Sequence, residues 1–192
     1  DVYKRQARYG VSMSVEFEAF PKIPRWKREI FISEKIDGSN GQIYVPEDPT
    51  EPLLAGSRNR WVTTDKDNYG FASWVKHNET ELRTLGPGRH YGEWYGIGVN
   101  RGYGLFQRRF ALFNTSRWKD GVRPACCDVV PVLYAGVMNE AAIDRVMDGL
   151  RELGSVIAPG YMNPEGIVIF HCASRTMFKR TLEHDDVAKT AV

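Results

Sequence analysis

The chain is poor in cysteine: Cys126, Cys127 and Cys172 are its only three in 192 residues, and two are adjacent. That spacing excludes a disulfide framework and a Cys-x-x-Cys zinc knuckle, and it fits a reducing compartment. Long apolar runs are missing as well. None approaches the ~20 residues that span a bilayer, and no signal-peptide pattern opens the chain, so a soluble, cytoplasmic protein with no membrane contact is expected, encoded by a cell or by a phage or virus. An excess of one charge is also lacking, since 26 Lys+Arg against 24 Asp+Glu leave +2. Bulk charge therefore gives no argument for nucleic acid. A phosphate-binding face has to come from local clusters such as Arg101, Arg108 and Arg109, or Arg117 and Lys119. Internal repeats and low-complexity tracts are absent.

What is present is a mixture of strand and helix patterns of one-domain length. Asp1 to Gln6 have the look of a cloning or assembly remnant, so residues 1–12 are read as a non-native lead and 13–192 as one domain. Alternation at Val15, Phe17 and Phe20 predicts a strand, and Pro21 and Pro24 bound the connection after it. Further strands are predicted over Ile30 to Lys35, Gln42 to Val45, His90 to Trp94, Arg109 to Asn114, Val129 to Tyr134 and Gly166 to Phe170. Ser174 to Thr181 should pair with the last as a hairpin. The loop Pro46 to Pro52 should be exposed. Phe71, Trp74, Val75, Leu82 and Leu85 are compatible with a helix ended by Gly86-Pro87-Gly88. Ile143, Val146, Met147, Leu150 and Leu153 recur at helical spacing between Asn139 and Gly154, which predicts a core-facing helix. Mixed strands with few helices indicate α+β architecture, mainly antiparallel.

The chemistry concentrates in Glu34-Lys35-Ile36-Asp37-Gly38-Ser39-Asn40. Apolar β-formers before Lys35 and Gly38 after it read as a strand that ends in a turn and presents one amine at its tip. Asp-Gly is also a favoured pair in ordinary hairpins, so the segment alone decides nothing. Other short elements follow in order: Ser57-Arg58, His90 to Gly96 around Glu93, Phe110 to Asn114 around Phe113, Pro164 to Phe170 around Glu165, and Met177 to Thr181 around Lys179. His77, His171 and His184 lack metal-ligand spacing and read as structural or exposed.

In residue type and order these six elements resemble motifs I, Ia, III, IIIa, IV and V of the covalent nucleotidyltransferases, the superfamily of polynucleotide ligases and RNA capping enzymes. Asn40 stands where DNA ligases and capping enzymes usually carry Arg, which points to the RNA ligase 2-like branch. Gly92 to Gly104 resembles that branch's extended motif III, and Phe20 to Arg25 its lead-in. The resemblance implies a ligase core of mixed sheets, ATP-grasp-like in layout, and an ATP-dependent RNA ligase that takes AMP onto Lys35. AMP would then pass to an RNA 5′-phosphate, which is sealed to a 3′-hydroxyl.

The same resemblance implies roles for single residues. Lys179 would contact the α-phosphate, and Glu165 would be linked to Mg2+ or Mn2+. Glu93 would meet a ribose hydroxyl and Phe113 would stack on adenine. Glu34 and Ile36 would lie at the adenine edge, Arg58 would grip a phosphate or RNA terminus, and Asn40 would steady the turn or touch RNA. One departure is Thr181, where related ligases usually carry a second lysine. With no C-terminal OB domain expected, capping and ordinary DNA ligation are disfavoured, and end joining by a monomer with an accessory protein is an open expectation. The alternatives are a minimal DNA nick ligase and a non-catalytic nucleotide- or RNA-binding module.

Overall fold

The computed structural model describes residues 15–118 and 122–186. Ten strands form two sheets. The smaller sheet contains β1 (Glu29–Lys35), β8 (Val132–Val137), β9 (Gly166–His171) and β10 (Thr176–Thr181) in the order β10-β9-β1-β8, antiparallel throughout. The larger runs β4-β3-β2-β5-β6-β7, with β2 (Ser39–Val45), β3 (Leu54–Gly56), β4 (Trp61–Val62), β5 (Gly88–Gly96), β6 (Arg108–Leu112) and β7 (Cys127–Val129). Its one parallel pair is β6 with β7. This is the α+β arrangement expected.

Alternation along the strands decides which faces are buried. Ile30 and Ile32 of β1 and Ile167 and Ile169 of β9 point at α3 (Glu140–Leu153), where Ile143, Met147 and Leu150 meet them. Asn139 caps that helix by accepting a bond from the Ala141 N–H at 3.0 Å, and Gly154 ends it at φ 79. Leu153 departs from the expected stripe, because at 78% exposure it lies past the last turn that touches the sheet. One face of the larger sheet packs on α1 (Phe71–His77) and α2 (Glu79–Leu82) through Phe71, Val75, Leu82, Trp94 and Phe110. The single helix-compatible run of the sequence is thus broken at Asn78 and finishes in a 3-10 turn over Arg83–Leu85. A third, smaller core of Ile36, Tyr95, Tyr103, Ala111, Val130 and Ala158 sits where the sheets meet.

Two strand expectations fail. Residues 15–25 run outside both sheets, with Val15, Phe17 and Phe20 all more than three-quarters exposed. An alternating pattern becomes a strand only where a sheet edge receives it. The predicted strand Val129 to Tyr134 is two strands in different sheets. Pro131, which cannot donate to a ladder, sits at the crossing between β7 and β8. Residues 1–12 and Lys119 lie outside the described residues. Among the described residues, no helix is long and apolar enough to cross a membrane.

Candidate active site

β1 and β2 are consecutive in the chain but belong to different sheets, so Ile36-Asp37-Gly38 is a crossover and not a hairpin. The ordinary-turn reading of Asp-Gly is thereby excluded. Gly38 has no positive φ; it is needed because a Cβ there would come within 2.3 Å of the Trp94 carbonyl oxygen on the neighbouring strand β5. The crossover is held by β5 and the segment that follows it. The Asp37 N–H donates to the Tyr103 hydroxyl at 2.7 Å, and the Gly38 N–H donates to Glu93 Oε1 at 3.1 Å. Asn100 Nδ2 donates to the Gly38 carbonyl and to Asp37 Oδ1, and Arg101 Nε donates to Asp37 Oδ2 at 3.0 Å.

Lys35 ends β1 beside Gly166, and its Nζ meets Glu165 Oε2 at 2.5 Å. The lysine side chain is 21% exposed and the carboxylate 3%, so the pair sits at the rim of the fold with its acid inside. Cross-strand register puts Ser33, Val168 and Lys179 in one row on the same face as Lys35. Lys179 is exposed there. Arg180 points to the opposite face and pairs with Asp144 of α3 at 2.7 Å, as strand alternation requires. Thr181 lies in the Lys35–Gly166 row, and its hydroxyl donates to the Glu183 carbonyl.

The larger sheet supplies a second group. Glu93 and Asn40 are directly opposite each other, and Glu93 Oε2 accepts from Asn40 Nδ2 at 2.9 Å. Asn40 Oδ1 in turn accepts from Arg58 Nε at 2.9 Å, so a polar chain runs from a buried carboxylate to an exposed guanidinium. Burial pushes the Glu93 carboxyl up to about 7, against the opposing pull of the Lys35 charge and of the bonds from Gly38 and Asn40. Phe113 follows β6, shares the Glu93 face by register, and is 41% exposed. The ring is therefore accessible for stacking. Among the described residues, no three His, Cys, Asp or Glu side chains gather into a metal site. A hollow of about 520 Å³ along Lys22 to Arg28 and Ala173 is lined by none of these groups.

Two residues named from the sequence sit elsewhere. Glu34 alternates to the face opposite Lys35, where its buried carboxylate accepts from the Ser155 hydroxyl at 2.6 Å and from the Val156 and Ile157 N–H groups at 2.9 and 3.0 Å. Its side chain is spent on clamping that loop. The Ile36 side chain is buried in the core between the sheets. Two arginines of the expected basic clusters are paired with acids, while Arg108 and Arg117 bond carbonyls among the described residues. Arg101 pairs with Asp37 and Glu183, Arg109 with Asp128 at 2.8 Å, Arg108 bonds the Ile97 carbonyl, and Arg117 lies over Trp118 while bonding the Leu85 carbonyl. His171, buried, bonds Ser174 and the Trp26 carbonyl, which is the structural role expected of it.

The sequence did not single out Asn100 or Tyr103 as parts of the site. The signal was available in Gly96, Gly98, Gly102 and Gly104, all at positive φ along with Asn100 and Tyr103, which coil the segment back over the crossover. Arg101 goes further, since its Nη1 also donates to the Asn163 carbonyl and Oδ1, two residues before Glu165. One guanidinium thus ties the lysine's turn to the segment carrying the acid.

Two mainly antiparallel sheets are joined by a crossover that follows Lys35, with the Glu165 and Glu93 carboxylates beside it. The chain belongs to the RNA ligase family, whose sequence pattern matches residues 28–189. Among solved structures it is similar to several mutant forms of Naegleria gruberi RNA ligase, both apo and bound to ATP and Mn or to AMP and Mn. An apo form is 17% identical with a TM-score of 0.53, covering 82% of this chain and 50% of that one. A form with ATP and Mn is 16% identical with a TM-score of 0.55, covering 82% and 51%. A form with AMP and Mn is 17% identical with a TM-score of 0.54, covering 81% and 50%. This chain thus spans about half the length of those ligases. No curated protein matches it.

Proposed function

We propose that this chain is the adenylate-forming part of an ATP-dependent RNA ligase. The observation that carries the reading is the Lys35–Glu165 ion pair at the mouth of a crossover held by β5 and the segment after it. In the first step the unprotonated Lys35 Nζ attacks the α-phosphorus of ATP. An N–P bond forms, the bond to pyrophosphate breaks, and the amine's proton leaves toward solvent or the Glu165 carboxylate 2.5 Å away. AMP then passes to an RNA 5′-phosphate, and a 3′-hydroxyl displaces it to form the phosphodiester. Such transfers depend on in-line positioning and on neutralised phosphate charge.

Lys179, exposed on the Lys35 face, supplies a cation for the α-phosphate, and Arg58 supplies one for the RNA end. Glu93 meets the ribose and Phe113 stacks on adenine. The donor set fits a divalent ion of the Mg2+ or Mn2+ kind, which keeps several waters and takes one or two carboxylates plus nucleotide phosphates. Glu165 would hold it, directly or through water, and the ion would neutralise phosphate charge. The test is sealing of a labelled nick carrying a 5′-phosphate and a 3′-hydroxyl, with ATP and Mg2+ or Mn2+. Joining across RNA ends is expected. Joining of an all-DNA nick alone would reassign the chain to DNA ligation.

A further inference from the structure

We propose that the open face of the larger sheet is a stacking platform for single-stranded RNA next to the end being joined; this rests on the joining reading above. Cross-strand register aligns Phe113, Tyr91, Gln42, Gly56 and Trp61 in one row across five strands. The Phe113 N–H donates to the Tyr91 carbonyl at 3.0 Å, which extends the pairing of β5 and β6 to that row. The row spans about 19 Å at a strand spacing of ~4.8 Å. Its three rings stand open to solvent, Tyr91 at 52%, Trp61 at 45% and Phe113 at 41%. Aromatic rings on a sheet face stack nucleobases without regard to sequence, because every base has a π-face.

The charge on this face matches the same ligand. Next to the aromatic row, Tyr44 is paired with Arg89, whose guanidinium lies 5.3 Å from the Tyr44 ring centroid and 5.4 Å from that of Trp61. The flat side of the guanidinium is thus used by the rings, and its N–H edge remains for a phosphate. On the other flank, Arg58 is held by Asn40. Neither arginine forms an ion pair among the described residues. This contrasts with Arg101 and Arg109, whose charges are already matched. Phe113, at one end of the row, is the ring proposed to hold adenine, which leaves Tyr91 and Trp61 for RNA bases, and Arg58, two residues past Gly56, flanks the Trp61 end.

The experiment is anisotropy of a labelled, 5′-phosphorylated single-stranded RNA, read beside covalent AMP formation from labelled ATP and the melting temperature of each variant. Trp61→Ala and Tyr91→Ala should each weaken RNA binding roughly tenfold with the salt slope kept. Arg89→Gln should lower the slope of log K against log salt by about 0.7, one single-strand phosphate contact. AMP formation should be unchanged in all three. RNA affinity within about twofold of wild type, in variants that melt normally, overturns the platform and leaves the face to some other contact, such as a protein. If Trp61→Ala melts early, Tyr91→Ala decides alone, since Trp61 packs on the Tyr44 ring whereas Tyr91 meets no other ring among the described residues. Loss of RNA binding in these variants when the parent protein forms no adduct would sink the joining reading and keep the platform.

Discussion

The two sheets divide the work differently. The smaller one brings Lys35, Glu165 and Lys179 to one end of one face, as an ion pair and an exposed cation on adjacent rows. The larger one presents Glu93, Asn40, Arg58 and Phe113 as a hydrogen-bonded chain beside an open ring. One holds groups suited to reacting, the other groups suited to recognising. The crossover and the glycine-rich segment over it, the small core between the sheets and the β7–β8 crossing at Pro131 together keep the two in register, so the chemistry depends on contacts far from any reacting atom.

The comparison breaks most completely at Lys35. Lys35→Ala should abolish covalent AMP formation with an unchanged far-UV CD spectrum, and Glu165→Gln should slow it by about 10²–10⁴. A Lys35→Ala protein that still takes up AMP removes the smaller sheet from the chemistry. Arg101 tests the link between the sheets. Arg101→Ala should slow adduct formation by roughly 10–100-fold through misplacement, and Arg101→Lys should restore little, because an ammonium lacks the planar fork that reaches both Asp37 and Asn163. Equal rates for all three proteins would show that the two sheets are held together some other way.

Glu34 sharpens the contrast within one strand. It is the neighbour of Lys35, yet Glu34→Ala should leave the reaction intact while it orphans three donors at loop 155–157. A loss of about 3 kcal/mol is expected, which at this size lowers the melting temperature by roughly 6–12 °C. The last effect, read through pH, belongs to Glu93. Its carboxyl sits near 7 in the fold against 4.5 when unfolded, so the native state binds the extra proton between those values. That contribution is fully present below pH 4.5 and is lost as pH rises through 7, at no more than about 1.4 kcal/mol per pH unit. Urea melts of wild type and Glu93→Gln across this window should diverge with that sign, and parallel curves would mean that Glu93 is not held in a desolvated state.

Much of this was legible where a local pattern and its tertiary partner agree. The α3 stripe, β1, β2 and the β9–β10 hairpin follow from periodicity, and the ordered motifs led to Lys35, Glu93, Glu165 and Lys179. Long-range partners were not legible. Asp37-Gly38 reads locally as a hairpin turn, and only pairing of β1 with β8 and β9, and of β2 with β3 and β5, turns it into a crossover. The Glu34 side chain looked free for a ligand because its partners lie more than 120 positions away. Arg101 and Arg109 looked free for phosphate because Asp37, Asp128 and Glu183 are distant in sequence. Arg58 and Arg89 are far apart in the chain and gathered only by strand register.

The most direct test is peptide mapping by mass spectrometry after incubation with ATP and Mg2+ or Mn2+, following pyrophosphate treatment to strip any AMP already attached. AMP on the peptide bearing Lys35, and on no other, is the expected result. An unmodified Lys35, or AMP on a different lysine, would contradict the assignment of the crossover as the reacting centre.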